Sequence, residues 1–319
     1  MVGNNSTGNG DQIIKLSINP VEWWFYLIFC SLQIFIGSIA NFVVIVTIFV
    51  SRQLRQRSED RLILNLAITD FICLTIALPW HIYIYSHKQI NVNTTSFISN
   101  FSIVVLVVIT GSNTIFCIAV DRFVAVVYPL RHPNIINTRV MTVLSWGTAI
   151  LVTVAIYLCF KFEQYGISYI VCVTSNLLFL AMNATLYAII FYHTLKQGRN
   201  ILNKRRSVGA AKDEFSSHLL LKITLRPFLL MCLFYITYLP WAIYIIHFLF
   251  VLGHDWEDFG DEMIWIRRVV FLNSFINPFI YGLRTKRFRK EFHKKIWSRC
   301  FHRTANETNV PPLYHDTFL

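Results

Sequence analysis

Seven apolar runs separated by short polar segments dominate the pattern along the chain, at residues 23–50, 62–85, 97–127, 140–160, 167–195, 219–252 and 263–283. Each reaches the roughly 20 residues a helix needs to cross the hydrocarbon core of a bilayer. Backbone N–H and C=O groups in lipid must bond within their own segment, so the runs are expected to be helices. A barrel would instead show short segments of alternating polarity. The first run is too long for the apolar stretch of a cleavable signal peptide and is expected to persist as a span. Pro79, Pro227, Pro240 and Pro278 fall inside runs, where the missing N–H predicts kinks. Past the last run, Phe288, Phe292, Ile296 and Cys300 recur every fourth residue among Arg287, Arg289, Lys290, Lys294, Lys295 and Arg299. That is the pattern of a helix lying on an anionic leaflet, with Cys300 as a candidate palmitoyl acceptor. The expected architecture is an all-α membrane protein. A seven-transmembrane helix bundle fills 23–285, a short amphipathic eighth helix 286–300, a glycosylated amino-terminal segment 1–22 and a cytoplasmic tail 301–319.

Composition agrees, since 55% of the 319 residues are apolar and only 14% charged, with a mean hydropathy of +0.51. A soluble domain carries about 25% charged residues. The net charge of +12 would suggest nucleic acid in a soluble chain, so its placement matters. With the amino terminus outside, all of the 29 Lys and Arg except Lys15, Lys88, Lys161, Arg267 and Arg268 follow spans one, three, five and seven on the cytoplasmic side. The charge thus belongs to the inner face of a plasma membrane and a cytoplasmic partner, and nucleic acid is not required. Asn4, Asn5, Asn93 and Asn100 open N-x-S/T motifs outside the spans or at an outer span edge and are candidate glycosylation sites. Asn183 and Asn306 open the same motif in a span and in the tail, where it is expected to go unused. Cys159 and Cys172 flank the short connection between spans four and five in an oxidising compartment, which leaves a local disulfide and two free thiols equally open.

Ionisable groups in hydrocarbon are costly and mark function by default. Asp70 lies in mid-span, and Asn41, Ser112, Asn273, Ser274 and Asn277 are polar residues that could approach it from other spans. A carboxylate with amide and hydroxyl oxygens suits a small hard cation such as sodium, and an acid that merely packs helices together is the alternative. Asp121-Arg122-Phe123 puts an acid beside an arginine where span three meets the cytosol, the plain alternative being a surface ion pair. The seventh run ends in Asn273-Ser274-Phe275-Ile276-Asn277-Pro278-Phe279-Ile280-Tyr281, a polar-lined proline kink able to hold two arrangements of the helix end.

In this order and on these spans, the residues resemble the rhodopsin-like (class A) G-protein-coupled receptors. Gly37 and Asn41, Leu66-Ala67 with Asp70, Asp121-Arg122-Phe123 followed by Pro129-Leu130, Trp146, Phe234 and Pro240, then Asn277-Pro278-Phe279-Ile280-Tyr281 and a basic eighth helix carry the likeness. The resemblance implies a receptor, not an enzyme, that activates heterotrimeric G proteins. Arg122 would engage the α-subunit tail, Tyr281 would turn inward to support it, and Phe234, Tyr238 and Pro240 would form the span-six part of the switch. It also implies a sodium pocket at Asp70, Asn273, Ser274 and Asn277, with no other cofactor. Departures are visible. Gly111 replaces the usual Ser of that pocket, Tyr238 and Thr237 replace Trp and Cys, Phe97 stands for the disulfide cysteine, and the span-five proline is missing. Lipid-type and melanocortin-type receptors share the last two absences.

The resemblance further implies a ligand pocket lined by Trp80, His81, Val104, Val108, Asn176, Tyr238, Trp241, Ile245, Arg267 and Phe271. Val104 stands where amine receptors carry an aspartate, and span seven has no lysine, which argues against monoamines and retinal. Arg267 or Arg268 could pair with a ligand carboxylate or phosphate. Pairing with Asp258, Asp261 or Glu262 is the favoured alternative, and His81 is expected to bond at the interface. No acid stands at the cytoplasmic start of span six, which leaves Asp121 as the acidic partner of Arg122 and predicts signalling without ligand. The terminal Thr317-Phe318-Leu319 fits a PDZ sheet edge. A transporter or channel, the rival reading, would line a path with ionisable groups, yet Asp70 is the one acid deep in a span. A membrane enzyme would need a clustered catalytic set, and the ten histidines are scattered.

Overall fold

The computed structural model describes residues 13–15, 19–87, 89–91, 94–207, 215–250 and 261–297. Seven long helices form the bundle: α1 (Pro20–Val50), α2 (Ser58–Tyr85), α3 (Thr95–Val127), α4 (Thr138–Lys161), α5 (Tyr165–Ser207), α6 (Phe215–Phe250) and α7 (Asp261–Arg284). An eighth, α8 (Lys286–Phe292), continues through a π turn to Trp297. Six of them are long and apolar enough to cross a membrane. The seventh, α7, matches α4 in length but carries Asp261, Glu262, Arg267 and Arg268 in its first half, which dilutes its apolar stretch.

Local chemistry sets the helix ends. Asn19 caps α1 by accepting from Val21 N at 3.1 Å, with Pro20 in the first turn, where its missing N–H costs nothing. Thr94 caps α3 and Asn137 caps α4 in the same way. Between α4 and α5 the chain reverses in three residues around Glu163, whose φ of 60° closes the turn. Inside α2, a π turn at Cys73–Ala77 precedes Pro79. The proline ring crowds the carbonyl four residues back and removes one donor, so the widened turn absorbs the mismatch.

Large side chains such as Trp24, Phe35, Phe49, Leu151 and Ile236 point outward, while the interior is studded with amides and hydroxyls. That inversion is expected when lipid replaces water around the bundle. Polar pins tie the helices. Asn65 donates to Thr114 Oγ1 at 2.7 Å and accepts from Trp146 Nε1 at 2.9 Å, joining α2, α3 and α4. Asn41 donates to the carbonyls of Gly37 and Ser274, joining α1 to α7. A Cβ on Gly37 would come within 2.6 Å of Leu74 Cδ1 and 3.1 Å of Phe275 Cδ2, so only glycine lets α1, α2 and α7 approach this closely. One end of the bundle, here the upper end, carries a small antiparallel ribbon of β1 (Ile13–Lys15) and β2 (Gln89–Asn91). The lower end carries α8, where Phe288 is buried and Glu291 accepts from Ser51 Oγ at 2.7 Å. Part of the face expected to rest on lipid is therefore spent on α1.

One sequence expectation fails, and one open alternative resolves to free thiols. Asn100 lies within α3, is buried, and donates its side-chain amide to Ala77 O at 3.1 Å, so no glycan fits there. Cys159 and Cys172 are free thiols. Cys159 sits half-exposed in the last turns of α4, whereas Cys172 is two turns into α5 and faces the bundle interior. Asn4, Asn5, Asn93, Cys300 and Leu319 lie outside the described residues.

Candidate functional site

Three polar stations run down the axis between α2, α3, α6 and α7. The uppermost is a cavity of about 390 Å³ lined by Phe101, Val104, Val105 and Val108 of α3, Cys172 of α5, Tyr238 and Trp241 of α6, and Arg267, Val270 and Phe271 of α7. Of the residues expected here, Val104, Val108, Tyr238, Trp241, Arg267 and Phe271 are brought together. The others do not line it directly, although His81 and Asn176 touch residues that do. Trp80 bonds Ser96 at 3.1 Å, Asn176 donates to Cys172 O within its own helix, and Ile245 is buried in the core. His81 makes no hydrogen bond and instead stacks between Tyr85 and Phe271, with centroids 4.2 and 5.4 Å away. Sequence reasoning missed Phe101, Val105, Cys172 and Val270. The helical period marks Phe101 and Val105 as neighbours of Val104 and Val108 on one face of α3, a signal that was available.

Arg267 and Arg268 of α7 both turn inward. Arg267 Nη1 donates to Tyr85 Oη at 2.9 Å, and its guanidinium lies over the rings of Phe101 and Tyr85. Arg268 reaches Cys30 Sγ and the face of Tyr26. Neither makes an ion pair with a described residue. The side chains of Asp258, Asp261 and Glu262 lie outside the described residues.

The middle station surrounds Asp70. Its Oδ2 accepts from Asn277 Nδ2 at 2.8 Å, and Asp70, Gly111, Phe234, Thr237, Tyr238, Asn273 and Ser274 line a cavity of about 360 Å³. The side-chain oxygens of Asn273 and Asn277 are buried without hydrogen-bond partners. One carboxylate and two unanswered amide oxygens suit a small hard cation. Ser112 bonds Ile109 O in its own helix and lines a separate cavity, so it does not join this set.

The lowest station is the ionic knot at Arg122. Its guanidinium pairs with Asp121, and its Nη1 lies 3.3 Å from Glu59 Oε2 in the first turn of α2. His132 Nε2 lies 3.0 Å from Asp121 Oδ1. Asp121 is thus not the lone acidic partner, because Glu59 takes the place that span six leaves vacant. Phe123 packs edge-on to Tyr128, and Tyr281 is buried one turn past Pro278 with an unbonded hydroxyl. Between the stations, Trp241, Tyr238 and Phe234 stack in sequence at centroid spacings of 5.3 and 5.6 Å. Pro240 sits on the outward side of that stack. Among the described residues, no group of three His, Cys, Asp or Glu side chains gathers in a metal-binding cluster.

Residues 40–281 match the profile of the 7 transmembrane receptor (rhodopsin family). Galanin receptor 2b of Danio rerio is 24% identical over 92% of this chain and 80% of its own length. Galanin receptor type 1 of Rattus norvegicus is 24% identical over 94% of this chain and 92% of that receptor. Melanocortin receptor 5 of Rattus norvegicus is 21% identical over 76% and 75%.

Proposed function

Since the chain belongs to the rhodopsin family of seven-transmembrane receptors and is a G-protein-coupled receptor, we propose that a ligand in the upper cavity controls the ionic knot at Arg122. The upper end faces outside and the basic lower end faces the cytosol of the plasma membrane. In the resting arrangement Glu59 and Asp121 hold Arg122 against α2 and α3. A ligand touching Tyr238 and Trp241 shifts the aromatic stack of α6, opens the lower end and frees Arg122 for the tail of a G-protein α-subunit. It does so only by as much as its affinities for the two arrangements differ.

One observation carries the reading. A run of packed rings leads from Trp241 in the upper cavity through Tyr238 to Phe234, which lines the same cavity as Asp70, the acceptor of the Asn277 bond one residue before Pro278. Asp70, Asn273, Ser274 and Asn277 would hold a sodium ion, whose charge would balance the carboxylate in the resting arrangement. The family's relatives are receptors, and the transporter reading is not favoured. Galanin receptors among them lend weight to a peptide ligand. The basic face of α8 would rest on anionic lipid, and Leu319 would supply a PDZ ligand. The test is guanine-nucleotide exchange by added heterotrimeric G protein on membranes holding the chain. Exchange must exceed that of membranes holding Arg122→Ala at equal surface density, and equality overturns the reading.

A further inference from the structure

The upper cavity holds a cation with no counter-charge among the described residues. Arg267 is 6% exposed, and its Nη1 donates to the neutral hydroxyl of Tyr85. Its Nη2 has no partner, and no ion pair forms among the described residues. A buried guanidinium without a counter-charge forfeits several kcal/mol of hydration, a cost that persists only where something else repays it. The nearest histidine offers no relief. His81 is fully buried, neither of its ring nitrogens finds a partner, and it carries no negative charge in any form.

The rest of the cavity is of the opposite character. Phe101, Val104, Trp241 and Phe271 give it apolar walls. The guanidinium is held in place by the Phe101 and Tyr85 rings, which stack on it at 5.3 and 5.9 Å. A planar donor fork fixed at the edge of an apolar chamber matches a carboxylate better than a point charge would.

We infer that the ligand of this receptor carries a carboxylate that pairs with Arg267, attached to an apolar body that packs against Phe101, Val104, Trp241 and Phe271. The inference rests on the proposed receptor function. The same chemistry has two sources, a free organic acid and the carboxyl terminus of a peptide ending in Phe or Leu.

The experiment measures G-protein nucleotide exchange on membranes holding the full chain. Its probes are octanoate, decanoate, dodecanoate and 3-phenylpropanoate, each beside its primary amide. Tripeptides ending in Phe or Leu, with free or amidated carboxyl, form the second arm. The acids of at least one arm are expected to act and their amides to fail, and whichever arm responds identifies the source. Loss of a charge-assisted hydrogen-bond pair predicts that Arg267→Gln raises the half-maximal concentration about tenfold to a hundredfold, with Arg267→Lys within about tenfold of the parent. Val104→Trp fills the chamber without touching the charge and is expected to abolish the response. It keeps the test valid should Arg267→Gln fail to reach the cell surface. Amides as active as acids, an unchanged Arg267→Gln, or silence of the parent chain to every acid would each overturn the inference. Raised basal exchange from Glu59→Gln together with such silence leaves the receptor reading intact, whereas no exchange from any variant sinks the receptor reading itself.

Discussion

Replacing Glu59 by Gln removes one of the two charges that hold Arg122 and leaves the other in place. The pair is 3.3 Å apart and each side chain is 11% exposed, so it is neither a surface pair nor a fully buried one. Exposed pairs contribute about 0–1 kcal/mol, while breaking a buried one costs about 3–5 kcal/mol. Asp121 continues to neutralise Arg122, which places the loss at roughly 1–2 kcal/mol, a factor of about 5–30 in an equilibrium constant. If the open arrangement is about 1% populated at rest, the substitution raises it to about 5–25%. The assay is ligand-free nucleotide exchange on added G protein at matched surface density, with Arg122→Ala as the floor. Glu59 also lies in the first turn of α2, where an acid favours the helix dipole by about 0.3–1 kcal/mol, so a fall in melting temperature is expected too. That fall without any rise in basal exchange would refute the latch and leave Glu59 a helix-start residue only.

Gly111→Ser should add an oxygen to the Asp70 cavity, since a Cβ there meets only Leu66 Cδ1 at 3.8 Å. Sodium should then suppress basal exchange at a concentration about threefold to tenfold lower, and Asp70→Asn should remove the sodium effect in both backgrounds. Arg268→Met exchanges a buried guanidinium with two unpartnered nitrogens for an apolar chain of similar length. A gain of about 1–3 kcal/mol is expected, read as a rise of a few degrees in the melting temperature of the purified receptor, and a fall would show that the charge is balanced. Asn65→Ala strands Trp146 Nε1 and removes the donor to Thr114 Oγ1, and should cost about 1–2 kcal/mol in the same melt. Asn100→Gln should leave the glycan mass of the mature protein unchanged, because that amide is committed to Ala77 O.

The helices were legible because a bilayer imposes a length and a polarity that few other settings require. The apolar runs at 62–85 and 97–127 fall within α2 and α3, which extend only a few residues beyond them. What escaped was pairing across the fold. Glu59 reads in sequence as an ordinary acid at a helix start, and only the packing of α2 beside α3 makes it a partner of Arg122. The motif at Asn100 encodes acceptor chemistry but not exposure, and the cap at Thr94 draws that position inside the helix. Cys159 and Cys172 look adjacent across a short connection. The tight reversal at Glu163 leaves one near the end of α4 and the other facing the cavity. The three-residue strands β1 and β2 are too short to show a period, and their register is set by pairing alone.

Unsatisfied groups at the lower end argue that the closed arrangement is poised rather than simply stable. The hydroxyls of Tyr187 and Tyr281 are buried at 1% and 2% exposure and neither is bonded, and in the middle station above them the Asn273 and Asn277 side-chain oxygens are likewise unanswered. Each such group forgoes about 1–3 kcal/mol that it would recover on meeting water or a donor. On the proposed switch, opening the lower end would admit water to both tyrosines and free the Arg122 guanidinium to face them, so the movement that breaks the Glu59 pair would also satisfy groups the closed form leaves orphaned. The opposing terms are of similar size. A ligand in the upper cavity therefore needs only a modest preference for the open arrangement, far below the roughly 5.5 kcal/mol required to drive a two-state equilibrium from one extreme to the other.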